Sequence, residues 1–91
     1  MMRIALITRD KTDALQTRLA NRDAHLAYIE ETGVVEMAGP FMDADGKMSG
    51  SLIIMNVDNM TAAQEWADQD PYAKAGLFEK VRLEEWKKVI G

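Results

Sequence analysis

Apolar and polar positions change their period several times along the chain. Arg3 to Arg9 holds a short isoleucine-rich apolar run, Ile4-Ala5-Leu6-Ile7, closed by the charged turn Asp10-Lys11-Thr12-Asp13, which predicts a first strand. From Asp13, a residue type suited to an N-cap, Leu15, Leu19, Leu26 and Ile29 recur at helical spacing, and Gly33 stands ready to end the helix. At about 100° per residue, Arg18, Arg22 and His25 run beside that stripe, at the boundary where a helix meets a sheet. Val34 to Gly39 predicts a second strand, stopped at Pro40 because proline has no N–H for a central ladder. A polar, glycine-bearing loop follows from Met42 to Gly50, and Ser51 to Val57 is nearly continuous in apolar residues, as in a strand covered on both faces.

Thr61 and Gln64 have capping-box spacing, and Ala62, Ala63, Trp66 and Ala67 form the apolar side of a second helix that ends before Pro71. A residue preceding proline is pushed out of the α region, so Asp70 is held at a helix junction, where its carboxylate can cap or accept a hydrogen bond. Pro71 suits the first position of a one-turn helix closed by Gly76. Phe78 to Val89 supplies a last strand, with Trp86 as its anchor. The order strand, helix, strand, strand, helix, strand over a single domain, 1–91, is that of an α+β, ferredoxin-like βαββαβ fold. Two main helices cover one face of a four-stranded antiparallel sheet. Ile4 to Ile7 and Leu52 to Met55 are apolar at consecutive positions, so the other face also calls for burial, and a homodimer through that open sheet face is expected.

Composition narrows the function. The chain has 91 residues, a net charge of -4 and no cysteine. An acidic chain lacks the clustered cations of a nucleic-acid binder, and without cysteine there are no disulfides or thiolate ligands, which suits a cytoplasmic protein. No stretch approaches the roughly 20 apolar residues that span a bilayer, so no membrane partner is expected. Asp43, Asp45 and Gly46 resemble the start of a calcium loop, but the later acidic positions are absent and the segment reads as a turn. One histidine without cysteine gives no metal-ligand spacing, and there is no phosphate-binding glycine loop or serine elbow. The expectation is therefore no metal, no cofactor and a small-molecule ligand.

His25 is the one side chain of a type that titrates near neutrality, as a proton carrier must. An aspartate accepting from one ring nitrogen fixes the tautomer and leaves the other nitrogen to face a substrate, and Asp70 is placed for that role. The alternative is a structural hydrogen bond joining the first helix to the junction after the second. Arg22 suits a substrate carboxylate or enolate, or else an ion pair with Asp23, Glu30 or Asp70. Tyr72 offers a hydroxyl at the cleft or simple packing, and Arg18 and Ser51 are cleft-lining candidates.

The run Arg18-Leu-Ala-Asn-Arg22-Asp-Ala-His25-Leu26, with Ala38-Gly39-Pro40, Gly50-Ser51, Trp66, Asp70-Pro71-Tyr72 and Ala75-Gly76-Leu77, resembles the YciI-like family over nearly the whole chain. The resemblance implies a dimeric α+β barrel, similar to muconolactone isomerase, in which His25 and Asp70 match the family's candidate catalytic pair. One characterised relative eliminates chloride from a chlorinated hydroxyquinol. The implied activity is a cofactor-independent lyase or isomerase acting on a small oxygenated cyclic metabolite. The alternative is a non-catalytic small-molecule binding or regulatory module on the same scaffold.

Overall fold

A computed structural model describes residues 1–91. Its elements are β1 (Met2–Asp10), α1 (Leu15–Thr32), β2 (Val35–Met42), β3 (Met48–Val57), α2 (Met60–Gln69), α3 (Pro71–Lys74) and β4 (Phe78–Glu85). The strands form one antiparallel sheet in the order β2-β3-β1-β4, which is the ferredoxin-like arrangement. Register follows from the apolar alternation: Ile4 pairs with Met55 and Leu6 with Ile53, all four buried on the helix side. Ala63, Trp66 and Ala67 of α2 close this core. Trp66 also ties α1 to α2, because its Nε1 donates to Thr32 Oγ1 at 2.9 Å and its carbonyl accepts from the Tyr28 hydroxyl at 2.8 Å.

Several local expectations are corrected. Asp13 does not cap α1: it takes a left-handed turn (φ 56°), and Ala14 fills the cap position without a side-chain bond. Gly33 does end the helix, in the left-handed conformation that an L side chain adopts at a cost. The leucine stripe is not the buried face of α1. Arg18 and His25 are its buried residues, whereas Leu19 is 47% and Leu26 43% exposed. The leucines sit about 80–100° round the helix from Arg18, because the two polar side chains find partners on other elements and so turn inward.

Pro40 does not stop β2, which runs to Met42. The strand lies at the edge of the sheet, where a missing N–H breaks no ladder bond. The β2–β3 connection is correspondingly tight. Asp43 Oδ1 accepts from the N–H groups of Asp45 and Lys47, and Gly46 takes positive φ, as the turn reading anticipates. α2 is capped by Asn59, whose side chain accepts from Ala62 N at 2.8 Å, in place of the Thr61/Gln64 box. β4 ends at Glu85 and not at Val89, and beyond it Trp86 N still donates to the Arg3 carbonyl of β1 at 2.9 Å. Trp86 therefore anchors no core. It lies half-exposed over the helix-free face beside Ala5, Ile7, Met37, Leu52 and Ile54. No helix is long and apolar enough to cross a membrane.

Candidate active site

Asp70 occupies the single residue between α2 and α3, in an extended conformation (φ -58°, ψ 129°) that the following proline requires. Its Oδ1 accepts two hydrogen bonds. One comes from Tyr72 N at 3.0 Å and caps α3; the other joins His25 Nδ1 at 2.8 Å. Asp70 is fully enclosed and its Oδ2 has no partner. When the carboxylate is ionised it can only accept, and Nδ1 then carries the ring proton while Nε2 keeps the free lone pair.

The Tyr72 ring lies flat on the imidazole, with centroids 4.0 Å apart and planes inclined by 16°. The Arg18 guanidinium lies over the Tyr72 ring, 4.7 Å from its centroid. Arg18 Nε and Nη2 grip both oxygens of Asp10, at 2.7 and 3.0 Å, and Nη2 also reaches Ser51 Oγ at 3.0 Å. Burial opposes the Arg18 charge, but Asp10 and Tyr72 together outweigh it and hold the guanidinium above its ordinary pKa. Burial likewise pushes the Tyr72 phenol up, against the pull of the Arg18 and Arg22 cations.

These groups border a cavity of about 120 Å³ between α1 and the β2 edge. His25, Tyr72, Arg18 and Ser51 make its polar end, and Leu26, Ile29, Pro40 and Met48 supply apolar wall. Arg22 borders it as well. It forms none of the ion pairs considered for it, so its guanidinium is free at the surface. A wider groove of about 400 Å³ lies between Asp10–Leu15 and the β2–β3 hairpin, but it contains neither His25 nor Asp70. The buried polar groups converge on the smaller cavity. All six sequence-derived residues thus share one neighbourhood, although Asp70 stands behind His25 and is not itself a wall. Asp10 was missed. Its place in a charged turn gives no local signal that it meets Arg18, eight residues away.

Comparison with known proteins gives a consistent set of matches. The model of the YCII-related domain matches residues 2–87. Protein YciI of Escherichia coli O6:H1 is 37% identical over 98 residues, covering 98% of this chain and all of that protein. Among solved structures, the chain is similar to 5-chloro-2-hydroxyhydroquinone dehydrochlorinase (TftG) from Burkholderia phenoliruptrix AC1100, in complex with 2,5-dihydroxybenzoquinone. That match has 34% identity, a TM-score of 0.88 and 94% coverage of both chains. An antibiotic biosynthesis monooxygenase with 9% identity and a TM-score of 0.61 shares the fold alone.

Proposed function

Since the chain belongs to the YCII-related domain family, we propose that it is a small-molecule-processing lyase or isomerase that moves a proton with its own side chains. The observation that carries this reading is the 2.8 Å contact of His25 Nδ1 with the enclosed Asp70 carboxylate. Asp70 orients the ring and stabilises the imidazolium that forms when Nε2 takes a proton. The electron pair released from the substrate moves into its oxygenated ring. It then either returns to carbon as a new C–H bond, an isomerisation, or departs with chloride, an elimination whose net loss is HCl. Arg22 steadies the negative charge that develops on a ring oxygen, and the apolar walls hold the ring plane. The similarity to a dehydrochlorinase supports the elimination branch.

In the same reading the chain works as a homodimer. The helix-free sheet face carries Ile7, Leu52 and Trp86 around Ala5 and Ile54, an apolar centre that a second copy would cover. The test of the activity is chloride release from 5-chloro-2-hydroxyhydroquinone by the parent and by His25→Gln. The expected result is an unchanged fold with turnover reduced by roughly a hundredfold or more. Parental turnover in a folded His25→Gln protein would remove histidine from the mechanism.

A further inference from the structure

Arg18 has the residue type of a substrate clamp, yet its surroundings give it another task. Its Nε and Nη2 are committed to Asp10 and Ser51, and the residue is 2% exposed, so only Nη1 of its donor fork is left for a ligand. Its flat face lies over the Tyr72 ring, 4.7 Å from the centroid, and the same ring stacks on His25 with centroids 4.0 Å apart. Tyr72 thus touches both a guanidinium and an imidazole. It is tied to the dyad a second time, because its backbone N–H binds the same Asp70 oxygen as His25 Nδ1.

We infer that Arg18 is a positioning residue: locked by Asp10 and Ser51, it presses the Tyr72 ring onto His25 and so fixes the plane in which His25 and Tyr72 meet a ligand. The hydrogen bond to Asp70 leaves the imidazole free to rock about the Nδ1–Oδ1 axis, and the stacked ring removes that freedom. β1 supplies Asp10 and β3 supplies Ser51, so the sheet itself sets the orientation of a group on α1. A lysine would keep the charge but not the fork or the flat face, which separates a geometric role from a merely electrostatic one.

This inference rests on the proposed acid-base reading for its purpose, but the stack can be read without any ligand. The lone histidine's ring protons are shifted by the tyrosine ring current, and NMR of the parent, Arg18→Lys and Asp10→Asn reports the stacking directly. Circular dichroism establishes which variants fold. Should Arg18→Lys fail to fold, Asp10→Asn loosens the same lock while keeping Arg18. The expected result is a loss of part of the ring-current shift in the folded variants, with affinity for 2,5-dihydroxybenzoquinone weakened roughly tenfold or more. Unchanged His25 ring shifts in the folded variants overturn the inference, as do altered shifts with unaltered affinity. A parent that does not bind 2,5-dihydroxybenzoquinone counts against the functional reading, and the ring shifts alone then decide the role of Arg18.

Discussion

Gly50 lies so close to Thr8 that a Cβ built on it would stand 2.3 Å from the Thr8 carbonyl oxygen and 3.3 Å from the Phe41 ring. The missing side chain also lets Arg9, on β1, reach across β3 and place its guanidinium 4.2 Å from the centroid of Phe41 on β2. Gly50→Ala is therefore expected to destabilise the protein by about 1–3 kcal/mol through forced backbone displacement. Because Ser51 is the next residue, ligand affinity should fall with it. Urea denaturation of parent and variant checks the first, and a melting curve matching the parent would show that the sheet yields at this point.

His25 and Asp70 carry a second prediction. Asp70→Ala removes the α3 cap and the imidazole's partner together, and is expected to cost about 2–4 kcal/mol. Asp70→Asn keeps a carbonyl that can accept from Tyr72 N, and should cost less. The ordering of the two melting temperatures is the check. Equal losses would mean that the carboxylate charge, and not the cap, holds the junction.

Alkaline pH supplies a third. Burial raises the Tyr72 and Tyr28 phenols above the ordinary tyrosine value. Below that value, about 10, both phenols are protonated in the folded and unfolded chains, and they contribute no pH dependence. As pH rises past it, the unfolded chain loses the protons first, so stability falls until the folded phenols ionise too. Denaturation midpoints measured at increasing alkaline pH should decline, and Tyr72→Phe should flatten part of the decline. A parent whose midpoint holds steady through the tyrosine range would contradict the sign.

The helix-free face supplies the fourth. Leu52 is 37% exposed there, so Leu52→Glu should leave the subunit folded while placing a charge at the centre of the proposed interface. Sedimentation is expected to show the parent at twice the subunit mass and the variant at once. A parent that sediments as a monomer would refute the homodimer.

What the sequence revealed, and what it hid, divides along the range of the forces involved. The Asp70-Pro71 junction, the stop at Gly33 and the turn at Asp43 follow from backbone rules acting over a few residues, and all three are present. The rotation of α1 was hidden. Its leucines suggest one inward face, but Asp10, Ser51 and Asp70 draw Arg18 and His25 inward instead, from three other parts of the chain. The end of β4 was hidden too, because the charged residues Lys80, Arg82, Glu84 and Glu85 blur the alternation that would mark its limit.

The placement of Pro40 affects how the protein behaves in a crowded solution. An outer strand offers its backbone as a template on which foreign strands can assemble, and β2 has a full eight residues to offer. Pro40 interrupts that template at its sixth residue with a ring where a donor would be, and it also lines the cavity. The same residue therefore discourages fibrous association along this edge.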